Sequence, residues 1–129
     1  MARYRWRLYI ASLSNNKHMK NEIILTPSFQ EKIKGNNYRS HLNIIQKLVK
    51  KLESMGKNAL KILDVEKNYL LCEMKVMRPP YRLYVIVEQK ENKYYIVDWE
   101  HKDNQEKIIN ELKGKLGLAL EFSLDKIFT

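Results

Sequence analysis

The chain has 129 residues, 44% of them hydrophobic and 30% charged, which suits one domain with a real core and excludes a disordered composition. Its formal net charge is +9, and the excess lies wholly in residues 1–60, which hold 12 Lys/Arg against 3 Asp/Glu, while residues 61–129 hold 12 of each. A single cysteine excludes an internal disulfide and fits a reducing cytoplasm, no apolar run reaches the ~18 residues of a membrane span, and the N-terminus lacks the apolar stretch of a signal peptide.

Residues 3–12 alternate strictly, with Arg3, Arg5, Arg7 and Tyr9 on one side and Tyr4, Trp6, Leu8 and Ile10 on the other. Period two predicts a strand with a basic face. Those arginines either guard a sheet edge or form a strip for phosphates. Residues 13–20 read as a polar loop, so 1–20 is expected to be an N-terminal extension of a single domain spanning 1–129. A short strand follows at Glu22–Leu25. Thr26 and Pro27 then suit an N-cap and a first helical position, with a helix to about residue 34 that Gly35 stops. A longer helix over about 38–55 carries Leu42, Ile45, Leu48, Val49, Leu52 and Met55 in one stripe. Lys47, Lys50 and Lys51 lie off that stripe and are candidate phosphate contacts. Two helices joined by a short turn make a helical hairpin.

Residues 59–64 fit either a helix or a strand. Residues 69–76, 81–89 and 93–100 read as strands, and Pro79-Pro80 reads as a connection because proline supplies no ladder donor. Asp103, with Glu106 three residues on, predicts a helix start, and Ile108, Ile109, Leu112 and Leu116 carry that helix to about residue 115. The tail, 118–129, alternates Leu118, Leu120, Phe122 and Leu124. It fits a final strand or a clamp onto a partner, including a second copy in a homodimer. The fold class is therefore α+β.

Sorting the strands by face places the chemistry. Leu70, Cys72, Met74, Val76, Tyr81, Leu83, Val85 and Val87 make the apolar side, with Tyr95, Val97 and Trp99 expected to join them. Glu73, Lys75, Arg82, Tyr84 and Asp98 fall on the other side, expected to be open, with His101 and Lys102 at a strand end. RNA is cut without metal when its own 2′-hydroxyl attacks the phosphate, which needs a base, cations for the developing charge and an acid. Glu73 or His101 supplies a base, Arg82 and Lys75 hold phosphate, His101 or Lys102 supplies an acid, and Tyr84 stacks a nucleobase. The plain alternative is that a solvent-facing sheet side carries such residues as ordinary cross-strand pairs. His18, His41 and His101 lack metal-ligand spacing, so no metal and no cofactor are expected.

Three stretches carry a resemblance: Glu22-Ile-Ile-Leu-Thr-Pro-Ser-Phe, Tyr81-Arg-Leu-Tyr-Val-Ile-Val and Tyr95-Ile-Val-Asp-Trp-Glu-His-Lys-Asp. Their order is similar to that of the RelE/ParE superfamily of toxin–antitoxin toxins, including its HigB-like branch, over about residues 21–113. The resemblance implies a helical hairpin packed on a small antiparallel sheet, here with an extra N-terminal strand. It implies a metal-independent endoribonuclease acting on mRNA, at the ribosome or off it, neutralised by a small antitoxin. It makes Arg82 the phosphate-binding arginine and His101-Lys102 the basic pair at the strand end, while Lys75 and Glu73 match by placement. One position departs from the pattern: many members carry a catalytic tyrosine after the basic pair, and here Asn104-Gln105-Glu106-Lys107-Ile108 follows. A non-catalytic nucleic-acid-binding or regulatory protein on the same scaffold is the alternative.

Overall fold

The computed structural model describes residues 21–118 and 124–128. The expected strand over 3–12, with Arg3, Arg5 and Arg7, lies outside them. Strand β1 (Glu22–Leu25) leads into helix α1 (Pro27–Ile33), with Pro27 at the first helical position. Thr26 does not cap that helix through its side chain. Its hydroxyl donates to the Ile96 carbonyl at 2.8 Å instead, tying the end of β1 to a neighbouring strand.

A 3-10 segment, Asn36–His41, precedes helix α2 (Leu42–Met55), so the expected helix from residue 38 has a tighter first part. Gly35, Asn36 and Asn37 are weak helix formers, which suits the shorter-period turn. Gly56 ends α2 with φ 58°, a left-handed value, and an added Cβ would stand 3.0 Å from the Tyr94 hydroxyl. Residues 59–64, left open by the sequence, divide between a 3-10 turn (Gly56–Ala59) and strand β2 (Lys61–Glu66).

Strands β3 (Tyr69–Lys75), β4 (Tyr81–Glu88) and β5 (Lys93–His101) follow. The sheet has five strands in the order β1-β5-β4-β3-β2. It is mixed rather than antiparallel throughout, because β1 runs parallel to β5. Alternation of side chains fixes which face a residue takes, but carries no information on which way a neighbouring strand runs.

Two cores form, one on each face of the sheet. Phe29, Ile33, Ile45, Val49 and Leu52 of the first two helices bury one face through Leu83, Val85 and Trp99. The other face, expected to be open, is covered too. Helix α3 (Gln105–Leu118) lays Ile108, Leu112 and Leu116 on Leu71, Tyr84 and Ile86. The short helix α4 (Leu124–Ile127) adds Leu124, and Phe128 follows it into the same core. Residues 124–127 are thus helical, not the final strand that was one of the two readings of the tail.

Helix α3 also departs from its expected limits. A 3-10 turn, Lys102–Asn104, precedes it, and His101 rather than Asp103 caps that turn, its Nδ1 accepting from the Asp103 backbone N–H at 3.0 Å. Gly114 and Gly117 do not stop α3. They lie on its exposed side with open space around them, while buried Leu112 and Leu116 hold the helix down. No helix among the described residues is long and apolar enough to cross a membrane.

Candidate functional site

The polar residues of the sheet gather at one end of the second face, where α3 begins. Cross-strand register sets them in two rows. One runs Lys61, Glu73, Tyr84, Asp98 and the other Lys75, Arg82, Glu100. A bulge on β5 brings Asp98 there: Tyr84 pairs with Asp98 but Val85 pairs with Ile96, leaving Val97 as the extra residue. The face of β5 therefore changes phase. Tyr95 and Val97 sit in the second core and Trp99 in the first, which corrects the expectation that all three share one face.

Arg82 occupies the centre of its row and is 7% exposed. Its Nη1 donates to the carbonyls of Tyr81 at 3.0 Å and Val76 at 3.3 Å. Its Nε is buried and has no partner among the described residues. Lys75 stands directly opposite it and is exposed. Like charges facing across a ladder are destabilising unless something negative lies between or near them. The nearest candidate, Glu100, is already engaged. Lys32 of α1 reaches the edge of β5 where β1 has ended, and its ammonium bonds both Asp98, at 2.7 Å, and Glu100. Burial pulls the Lys32 pKa down, but the two carboxylates outweigh it and hold it above its ordinary value. Burial likewise pushes Glu100 up, and the bonds from Lys32 more than reverse that.

Glu73 is the carboxylate of the band that Lys32 does not hold. It is 4% exposed, accepts from the Gln105 side chain at 3.3 Å, and lies 4.0 Å from the Lys61 ammonium. Tyr84 is fully buried rather than open to a nucleobase, and its hydroxyl has no partner among the described residues. Burial first, then the charge of Glu73, pushes its phenol up to about 12. Glu73, Arg82 and Tyr84 thus share one face as expected, yet all three are buried rather than in open solvent, with Gln105 of the first turn of α3 on Glu73.

His101 does not join them. It pairs with Tyr81, on the first face, and its ring lies 5.4 Å from the Tyr81 ring. Lys102 is exposed just past the strand end. Lys47, Lys50 and Lys51 are exposed on α2, across the sheet from Arg82. The basic helix and the charged band are therefore two surfaces, not one.

Sequence reasoning missed His41. It sits in a ring cluster with Tyr81 at 4.7 Å and Tyr38 at 5.9 Å, and its Nδ1 accepts from the Trp99 indole at 2.9 Å. Burial lowers its pKa. Nothing in the local sequence marks it, because its partners besides Tyr38, which are Tyr81 and Trp99, come from β4 and β5. Cys72 is buried as expected, and burial pushes its thiol up to about 12. Among the described residues, no group of three or more His, Cys, Asp and Glu side chains is arranged to hold a metal ion. Comparisons with protein-family models, with curated proteins and with solved structures gave no match.

Proposed function

We propose that this chain is a RelE-like endoribonuclease that works without metal on single-stranded mRNA, alone or on the ribosome, and that a small antitoxin neutralises it in the cell. Arg82 is the observation that carries the reading. It is a buried guanidinium whose Nε has no partner among the described residues, facing a second cation across the ladder, on a charged band with one loosely held carboxylate. A phosphate supplies what that arrangement lacks, since a guanidinium donates to phosphate oxygens through a planar fork. The order of strand, two helices, antiparallel strands and helix supports the same reading, as does the motif Tyr81-Arg82-Leu83 on a central strand.

The chemistry assigns one role to each group. Glu73 takes the proton of the 2′-hydroxyl as its oxygen bonds the phosphorus. Arg82 and Lys75 stabilise the negative charge that builds on the phosphorane. The 5′-oxygen leaves with a proton from Lys102, giving a cyclic phosphate and a free hydroxyl. Access requires the Gln105 side chain to release Glu73.

A time course of mRNA cleavage, run with and without ribosomes, tests this. Wild type is expected to cut, and Arg82→Ala to cut at least 100-fold more slowly, about 2.7 kcal/mol of transition-state stabilisation. A wild type that cuts nothing in either setting would overturn the enzymatic reading. The second reading, a nucleic-acid-binding protein that does not cut, is favoured by the cover over Glu73 and Tyr84 and by the absence of a tyrosine after His101-Lys102. It leaves RNA binding intact in that outcome.

A further inference from the structure

On the first face of the same sheet end, four ring residues meet: Tyr38, His41, Tyr81 and His101. His41 lies edge to face with Tyr81 at 4.7 Å and with Tyr38 at 5.9 Å, and His101 lies edge to face with Tyr81 at 5.4 Å. Trp99 stacks beneath Tyr81 at 5.0 Å, which fixes the platform from the core side. All four rings are partly open to solvent, whereas Trp99 is fully buried.

The partners of the two imidazoles decide their protons. An indole N–H only donates, so His41 Nδ1, which receives the Trp99 indole, holds a lone pair. A backbone N–H only donates, so His101 Nδ1, which receives the Asp103 amide, does the same. In both neutral rings the proton therefore sits on Nε2. Neither Nε2 has a partner among the described residues, and neither is sealed from solvent. Protonating His41 would break the bond from Trp99, and burial already opposes it. His41 thus stays a neutral donor, and neither ring can act as a base through Nε2 in this arrangement.

Two imidazole N–H donors beside a braced aromatic ring match an unpaired nucleobase, which has π faces to pack and carbonyl and ring-nitrogen acceptors on its edges. They match a phosphate less well, since a phosphate favours cations, and here Asp98, Glu100 and Lys32 leave one net negative charge, and the Asp103 carboxylate lies 3.5 Å from His101 Nδ1. The geometry points to Tyr38, His41, Tyr81 and His101 as a pocket for one nucleobase of a single-stranded RNA, separate from the Arg82 band on the opposite face. This rests on the reading of the chain as an RNA-binding protein, and adds to it that the strand wraps the sheet end, with a base read on one face and its backbone held on the other.

The test uses the full chain in a Trp6→Phe background, so that emission reports on Trp99 alone. The probe is a short single-stranded 2′-O-methyl oligonucleotide of mixed sequence, which cannot be cut, with its duplex as control. Titrating the single strand is expected to change Trp99 emission and shift the imidazole signals of His41 and His101 in nuclear magnetic resonance, while the duplex leaves them unmoved. His101→Ala, at a partly exposed position outside both cores, is expected to weaken binding about fivefold, the worth of one hydrogen bond. His101→Gln, which keeps a donor, is expected to recover part of that loss. Binding that leaves both imidazoles and Trp99 unmoved would overturn the pocket while sparing the RNA reading. Absence of any binding would remove the RNA reading and the pocket together.

Discussion

Arg82 and Tyr84 stand two residues apart on one strand and pose different problems. Arg82 was legible as a candidate from its motif, but its burial and the lack of a partner for its Nε among the described residues were not, because both depend on what packs around it in three dimensions. Tyr84 has a buried hydroxyl with no partner among the described residues, which costs stability rather than adding to it. Tyr84→Phe is therefore expected to hold or raise stability, by up to about 1 kcal/mol, as read from chemical denaturation at neutral pH. The alkaline side follows from the sign of the shift. The folded phenol is held at about 12 against an ordinary 10, so its contribution is complete below pH 10 and is lost as pH climbs toward 12. Stability should fall there by on the order of 1.4 kcal/mol per pH unit from this group. Tyr84→Phe should lessen that fall; an alkaline limb identical in the two proteins would contradict the burial argument. His41 illustrates the opposite case, a residue with no sequence signal whose role is set entirely by Trp99 and Tyr81, 58 and 40 positions away.

At the level of elements, the link between α1 and β5 is the most consequential. Lys32 belongs to the first helix, yet it holds Asp98 and Glu100 at the free edge of β5 and leaves Glu73 as the less restrained carboxylate. Lys32→Met is expected to cost roughly 1–3 kcal/mol, because two half-buried carboxylates then face each other without a cation. The pH dependence gives a second readout. Glu100 has a lowered pKa in the fold, so the link is fully present above the ordinary carboxylate range and is lost as pH falls through the depressed value. The difference in denaturation midpoint between wild type and Lys32→Met should therefore shrink below about pH 4; a constant gap would show that the loss comes from packing alone. The bulge at Val97 matters in the same way. Without it Asp98 would not lie beside Tyr84, and a strict alternation over 93–100 could not reveal it.

Across the whole molecule, charge and chemistry are spatially divided. The lysines of α2 lie on one side of the sheet and Arg82 on the other. Under the proposed function, Lys47, Lys50 and Lys51 would act on RNA only through the general field, with no share in the proposed chemistry. A Lys47→Gln, Lys50→Gln, Lys51→Gln triple variant is expected to weaken RNA binding equally for all sequences. It should reduce the slope of log affinity against log salt by about 2 at most, near 0.7 for each lost phosphate contact. Cleavage at saturating RNA should keep its wild-type rate. A triple variant whose rate falls at saturation would place those lysines at the reacting phosphate and overturn the division.

The sequence by itself determined the α+β class, the stretches that form the helices and central strands, and the facing of side chains on β3 and β4. Those features depend on local propensity and on periods of two and of three to four, which are written along the chain. Only the tertiary structure decided the parallel pairing of β1 with β5, the extension of α3 through two glycines, and the burial of the face that carries Glu73, Arg82 and Tyr84. Each of these depends on which distant segment lies alongside, and one-dimensional periodicity is silent on that. The same reason explains the two histidines. His101 was singled out for its position at a strand end and His41 was not, yet ring contacts through Tyr81 and hydrogen bonds on each Nδ1 give them the same proton and the same presented donor.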